Sequence, residues 1–320
     1  MDRQGFLHHS DRVLAAIDSN KSAKSALVAS WQRSSRLHQL DPDERKGPCR
    51  VSDSQLAAAR QKLEPLIRSA QGALDQLFSA VGGVGCCVLL ADRDGIPVER
   101  RGAPGDDETF RQWGLWTGTV WSEESEGTNG IGTCLVERRT LTIHRDQHFH
   151  SRNTLLSCTT APVYDHEGNL AAALDVSSCR ADLTEGFVNL IATAANDTVR
   201  RIEAEAFRLA FPKARIMLLP GSETGALIAV DDDDLVIGAT RTARSQLGLA
   251  PGPLADPFPA ADLLGGPAVG RDGLTEAERG ALQRALAGSG GNVSEAARRL
   301  GISRATMHRK MARLGIHRTH

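Results

Sequence analysis

His144, Asp146, His148 and His150 stand within one seven-residue stretch, with Cys134 and Cys158 on either side of it. Imidazole and thiolate are ligands for zinc, iron or copper, so this cluster could hold a metal. Cys158 with His148 could instead make a nucleophile and its base. Neither reading goes far. His144 and His148 are four apart, but their surroundings read as strand and loop, not as one helix face. No third orienting group and no oxyanion hole accompany the pair. The blander reading, a polar and partly buried loop, is favoured. No catalytic residue, metal or cofactor is expected.

Gly127, Gly130 and Gly132 in EGTNGIGT would let the backbone turn tightly beside a pocket. They do not match a dinucleotide fingerprint, because no strand-turn-helix of the right form surrounds them. Trp113, Trp116 and Trp121 are three of the four tryptophans and lie within nine residues. They could fill a core or line an apolar ligand pocket, and both readings stay open. With Asn129, Cys134, His148, Cys158 and Asp175 they form the candidate ligand-lining set. Cys86 and Cys87 read as small core hydrophobes on a strand.

The strongest signal lies near the C-terminus, in LTEAERGALQRALAGSGGNVSEAARRLGISRATMHRKMARLGIHR. Thr275 with Glu278 suggests a capping box. Leu274, Ala281, Leu282, Ala285 and Leu286 give an apolar stripe, and Gly288 to Gly291 stops it. Asn292 caps a second helix with Val293, Ala296, Ala297 and Leu300 facing inward. Gly301 turns the chain, Ile302 plugs the core and Ser303 caps a third helix. This is the grammar of a helix-turn-helix, and it predicts double-stranded DNA as a partner. The third helix would present Arg304, Thr306, His308, Arg309 and Lys310 to base edges. Seven basic residues from Gly291 onward (Arg298, Arg299, Arg304, Arg309, Lys310, Arg313 and Arg318) face Glu295 alone, a net +6. The chain totals −1, so the rest carries −7. A solvated basic hairpin or a dimerisation bundle is the bland alternative. The coincidence of cap, turn glycine, plug and basic helix in order disfavours it.

Other elements must hold these residues in place. The 320 residues are 41% apolar and 24% charged, which suits a globular protein of two or three domains. Residues 21–40 mix apolar and basic residues at helical spacing, until Asp41-Pro42 interrupts. From Ser52 to Val81 apolar residues recur every three or four positions, an amphipathic helix punctuated by Pro65 and stopped by Gly82-Gly83. Strands are expected at 86–92 and 96–101, joined by Asp94-Gly95, then at 140–145, 158–164 and 170–176. Asp165–Asn169 reads as a five-residue hairpin loop. Residues 185–209 are helical again, so the layout is α+β. Residues 225–249 read as strand, acidic turn, strand and short helix, too little for a core. The Pro- and Gly-rich stretch 250–273 reads as a linker. The expected boundaries are therefore 1–50, 51–210, 211–249, 250–273 and 274–320. No run of ~18 apolar residues and no apolar leader occurs, so a cytoplasmic protein with reduced cysteines and no membrane contact is expected.

SWQRS, LDP, EGTNGIGT, QHF, SCTTAP and LDVSS, spread over residues 30–178, resemble the sensor region of acetoin-regulator-type, sigma-54-dependent activators. NVSEAARRLGISRATMHRKMARLGI resembles the Fis-type helix-turn-helix, and 215–249 resembles a remnant of the PAS-like segment of that group. The resemblance implies a GAF-like antiparallel sheet with flanking helices, a small PAS-like segment and a C-terminal all-α helix-turn-helix domain. It implies a homodimer reading two half-sites about one DNA turn apart. It also implies DNA contacts from Asn292, Ser294, Ser303, Arg304, Thr306, Arg309 and Lys310. His308 stands where arginine or an aromatic is more usual, which leaves the base preference open. The implied effector is a small metabolite such as acetoin, an aldehyde or an alcohol. RNA polymerase or a full-length relative is a further implied partner.

One departure is large. Members of that group carry an ATPase between sensor and DNA reader, but none of the six lysines follows a glycine, so no Walker A motif exists. The expectation is a ligand-sensing, DNA-binding transcriptional regulator, acting without its own ATPase. The rivals are a thiol or redox sensor (or redox enzyme) built on the cysteines, and a nucleoid-type architectural binder with a vestigial sensor.

Overall fold

The computed structural model describes residues 8–19, 25–180, 184–222, 225–264 and 271–316. Residues 21–24 of the expected first helix, 265–270 of the expected linker, and Arg318 lie outside the described residues. Two units divide the chain.

The first unit holds residues up to Tyr164 and Leu170–Ile202. Its elements are α1 (His9–Asp18), α2 (Ala26–Gln32), α3 (Asp53–Val81), β1 (Cys86–Asp92), β2 (Pro97–Arg101), α4 (Asp107–Gln112), α5 (Glu123–Glu126), α6 (Gly130–Glu137), β3 (Leu141–His144), β4 (Ser157–Tyr164), β5 (Leu170–Ser178) and α7 (Glu185–Ala210), whose last turns belong to the second unit. Helix α3 begins where sequence puts it. Ser52 and Gln55 form a reciprocal capping box, each side chain bonding the other's backbone N–H. The helix runs through Pro65, and its stripe of Ala59, Leu66, Ala70, Leu74, Leu77 and Val81 is buried. At ~1.5–3 kcal/mol for each large apolar side chain buried, that packing outweighs the backbone bond proline removes.

The five strands form one antiparallel sheet in the order β2-β1-β5-β4-β3. Register sorts side chains onto two faces. Arg100, Leu89, Asp175, Thr160 and Leu141 are successive cross-strand partners and share one face. That face is covered by α4, α6 and the intervening chain, around a core of Cys87, Leu89, Phe110, Leu115, Trp121, Ile131 and Leu156. Helix α3 covers the other face, where Arg60 meets Glu99 and Asp75 meets Arg101. Helix α7 lies beside it, with Arg201 donating to Gln76 of α3.

The second unit adds β6 (Arg215–Leu218), β7 (Leu227–Val230), β8 (Leu235–Ala239), α8 (Arg241–Leu247), β9 (Phe258–Pro259), α9 (Ala261–Leu264), α10 (Arg271–Ala287), α11 (Val293–Arg299) and α12 (Arg304–Leu314). Its sheet runs β6-β7-β8-β9. The 225–249 stretch reads as too short for a core, but it gains one. Strand β6 precedes it and β9 follows, so Leu219, Ile228, Val230, Val236, Ala243 and Ala260 bury together. The stretch expected as linker therefore supplies β9 and α9.

The C-terminal helices enclose Leu282, Leu286, Val293, Ala296, Met307, Met311 and Leu314, with Ile302 packed at the edge. Helix α10 begins at Arg271, four residues before the expected cap, so Thr275 is internal. Glu278 instead pairs with Lys310 and Arg313 of α12.

Candidate functional site

Helix α12 is set by its own ends. Ser303 accepts a hydrogen bond from the Thr306 N–H at 3.1 Å, and Gly315 closes the helix in the left-handed region. Met307, Met311 and Leu314 turn into the core. Arg304 and His308, four apart on the same side, and Arg309 are exposed. Gly301, with φ of 65°, makes the turn that brings α11 against α12. The other candidates on these helices are partly committed. Asn292 caps α11 by accepting from the Ser294 and Glu295 N–H groups at 3.1 and 3.3 Å, and the Ser294 side is exposed. The Ser303 and Thr306 hydroxyls are 2.9 Å apart. Lys310 faces back to Glu278, whose carboxyl that bond holds below the usual range. The free basic surface of α12 is thus Arg304 and Arg309 with His308.

In the first unit, one face of the sheet carries a buried polar chain. Thr160 and Ser177 hydroxyls each donate to Asp175 at 2.5 Å. Ser177 Oγ lies 3.1 Å from Cys158 Sγ, which is 3.5 Å from His148 Nε2. His148 Nδ1 lies 2.9 Å from the Arg145 carbonyl, so that nitrogen donates and Nε2 accepts. Burial pushes the Asp175 carboxyl up to about 6, the His148 imidazole down to about 4 and the Cys158 thiol upward. A neutral thiol beside a neutral imidazole is no nucleophile pair. Burial also raises Cys87, Cys134 and Cys86, the last to about 11. Cys134 sits apart, in a cluster with Leu141 and Ile143.

The histidines each have a different hydrogen-bond partner. His144 Nδ1 lies 2.9 Å from Ser157 Oγ, and His150 Nδ1 lies 3.0 Å from the Asp41 carbonyl. Among the described residues, no group of three or more His, Cys, Asp or Glu could hold a metal ion.

The glycines serve close packing. A Cβ on Gly130 would stand 2.6 Å from both Cys158 Cβ and Thr160 Oγ1, and one on Gly132 would overlap the backbone of α5. Helix α6 can therefore seat its first turn directly on the sheet. Asn129 is spent on that turn, accepting from the Gly132 N–H at 2.8 Å. The tryptophans divide. Trp121 is core, with its indole N–H donating to the Gly114 carbonyl at 2.9 Å. Trp113 packs at that core's edge. Trp116 lies between cations, its ring 4.1 Å from Arg100 Cζ and 4.2 Å from Arg111 Cζ.

Nothing in the sequence ties the N-terminal helices to this site, but they close over it. Arg33 grips Glu123 through Nε and Nη2 at 2.6 and 3.1 Å, and reaches Glu137 at 2.8 Å. The Ser30 hydroxyl stands 2.8 Å from Glu123 and 2.7 Å from Thr128. The Trp31 indole donates to the Gln147 carbonyl at 2.9 Å. SWQRS and SEESEGTNG are thus two halves of one contact, and their joint presence was the only available signal for it. Arg100, too, is silent in the sequence, since nothing in VERRG separates it from Arg101.

These features define a sensor-type α+β domain and a helix-turn-helix reader. The GAF domain profile matches residues 65–202, and that of the bacterial regulatory protein, Fis family, matches residues 273–314. The chain joins a GAF domain to a Fis-type helix-turn-helix. It is similar to the acetoin catabolism regulatory protein of Cupriavidus necator, at 29% identity over 248 residues, 74% of this chain and 37% of that one. It is also similar to the acetoin dehydrogenase operon transcriptional activator AcoR of Bacillus subtilis, at 25% identity, 57% of this chain and 30% of that one. A third is the propane 2-monooxygenase operon transcriptional activator MimR of Mycolicibacterium smegmatis, at 28% identity, 55% of this chain and 29% of that one. The chain spans about a third of the length of these relatives. The fold is shared with DhaR(N) in the Escherichia coli DhaR(N)-DhaL complex, with TM-score 0.52 and 16% identity over 71% of this chain and 78% of that one. Among the described residues no helix is long and apolar enough to cross a membrane.

Proposed function

We propose that this chain is a ligand-responsive transcriptional regulator in which the GAF domain binds a small molecule and α12 reads DNA. The carrying observation is the exposed set Arg304, His308 and Arg309 on a capped helix whose opposite side is core. A helix so built enters the major groove with its N-terminal half, where arginine pairs with guanine. The chain acts as a homodimer. Helices α3 and α7 flank the sensor sheet, suit the dimer interface and carry the effector's influence to the half-site spacing. No Gly-Lys lies anywhere in the sequence, so the chain acts without an ATPase of its own, at ordinary promoters, as a repressor or beside a full-length relative. The relatives named as acetoin and propane 2-monooxygenase operon regulators support a role in controlling catabolic genes.

The test is a gel shift over a salt series with Arg304→Ala and Arg309→Ala. A lost base contact should cost ~1–3 kcal/mol and relax specificity, while a lost phosphate contact weakens all sequences alike. Unchanged binding by both variants would sink the assignment of α12. The thiol-sensor rival draws no support from the sensor core, because burial raises the thiols of Cys86, Cys87, Cys134 and Cys158 away from the reactive thiolate.

A further inference from the structure

Arg100 and Arg101 are adjacent in sequence and opposite in circumstance. Arg101, on the α3 face, is fully used: Nε meets Asp75 at 2.5 Å, Nη1 meets Glu99 at 3.2 Å and Nη2 meets Gln71 at 2.7 Å. Arg100 lies on the other face, its side chain only 10% exposed. Its Nη1 stands 2.8 Å from Asp107 Oδ1, a buried oxygen that itself makes no hydrogen bond. Its Nε and Nη2 are sealed from solvent and have no hydrogen-bond partner. Burying cationic donors without acceptors is costly, so such a pair calls for an explanation.

The two unsatisfied atoms are a matched pair. Nε–H and one Nη–H project in parallel from one edge of the guanidinium plane, at the spacing of two carboxylate oxygens. The same chain shows that fork filled: Arg33 holds Glu123 through its own Nε and Nη2. The surroundings of Arg100 hold the guanidinium in place. A Cβ at Gly102 would overlap the guanidinium, so glycine there makes room. The rings of Phe110 and Trp116 lie under Arg100 Cζ at 5.6 and 4.1 Å, an aromatic surface against the guanidinium. Trp116 is half-buried and also carries the exposed Arg111, so this aromatic surface reaches solvent. Asp175 shares the face two strands away, roughly 10 Å at sheet spacing, and would turn an anion back toward the Arg100 end.

We infer that Arg100 is the anion-recognising group of the sensor domain and that the effector is a small carboxylate. Its two oxygens sit on Nε and Nη2, and its carbon chain lies against Phe110 and Trp116. This rests on the reading of the GAF domain as a ligand sensor, and it departs from the neutral ketone or alcohol that family resemblance implies. A neutral carbonyl or hydroxyl accepts from these donors too but brings no charge to the buried guanidinium, so a carboxylate fills the fork better.

The test uses the full chain at pH 7.5 and fixed ionic strength. Thermal shift and tryptophan fluorescence are followed with acetate, propionate and lactate, beside acetoin, ethanol and inorganic phosphate. The carboxylates should raise Tm and change the fluorescence. Arg100→Lys, which keeps the charge and loses the fork, should weaken them about tenfold or more. Arg100→Gln should abolish the response with its circular dichroism unchanged. If that variant does not fold, Gly102→Ala, which displaces the guanidinium, should give the same loss. Carboxylates that bind wild type and folded variants equally would overturn the inference, as would a response stronger to phosphate than to any carboxylate. A response to acetoin or ethanol alone also overturns it, but leaves the sensor reading standing. No response to any carboxylate overturns it too, and the sensor reading is then judged by whether acetoin or ethanol alters DNA binding.

Discussion

At the scale of single residues, the buried polar chain of the sensor sets up two opposing titrations. Between about pH 4 and 6 the folded chain holds a proton on Asp175 that the unfolded chain has released. The contribution of Asp175 to stability therefore falls as pH rises through that window, by roughly 3 kcal/mol in total. His148 works the other way. Below about pH 6.5 the unfolded imidazole takes a proton that the buried one refuses until about pH 4, so its contribution rises with pH. Asp175→Asn should remove one opposing term, leaving the Glu126 carboxyl, which burial raises to about 7, as another. Urea titrations from pH 4 to 6.5 should then show stability climbing more steeply than in wild type, and equal slopes would remove Asp175 as a titrating group. At the DNA end, Glu278 neutralises Lys310 and Arg313. Glu278→Gln should release both, tightening binding to unrelated DNA several-fold and steepening its salt dependence. Filter binding at two salt concentrations decides it. These residues differ in how visible they were. Arg304 and Arg309 stand out in the sequence because helix caps fix their position locally. The commitment of Lys310 to Glu278 does not, because it joins residues 32 apart.

At the scale of elements, short-range grammar and close approach do different jobs. The Ser303 cap is a local device, and Ser303→Ala should cost ~1 kcal/mol of the C-terminal domain's stability. Its thermal midpoint should fall while the sensor's stays put. Gly132 answers to a distant constraint, the backbone of α5. Gly132→Ala would force α6 and the start of α5 apart at ~1–3 kcal/mol for overpacking, and should loosen the sensor while leaving the helix-turn-helix intact. Hydrogen exchange resolved by segment would distinguish the two. The elements themselves were largely legible, since the stripe of α3 is periodic and β1 is an unbroken apolar run closed by Asp94-Gly95. The four-stranded second sheet was not. Its outer strands are short, and β9 is two residues within a Pro-rich stretch, so no period exists to read.

At the scale of the whole molecule, charge is divided by task. A +6 C-terminal segment and a −7 remainder make a chain of net −1 that should bind DNA with marked salt dependence despite its neutral total. If effector and operator are coupled, an effector that changes operator affinity by a factor in the typical range of about 5–150 must have its own affinity changed by the same factor on adding operator DNA. Calorimetry with and without operator measures this, and unequal factors would exclude a simple linkage. The sequence alone determined the helix-turn-helix, the long flanking helices, the strands and the charge division. Caps, turns and periodicity arise from residues one to four apart. Tertiary structure alone decided that SWQRS clasps Glu123 and that the histidines take separate partners. It alone decided that Arg100 and Arg101 part company. Those outcomes follow from strand register and from contacts between residues tens of positions apart. A one-residue step along a strand moves a side chain to the opposite face, and only the paired strands settle which face is which.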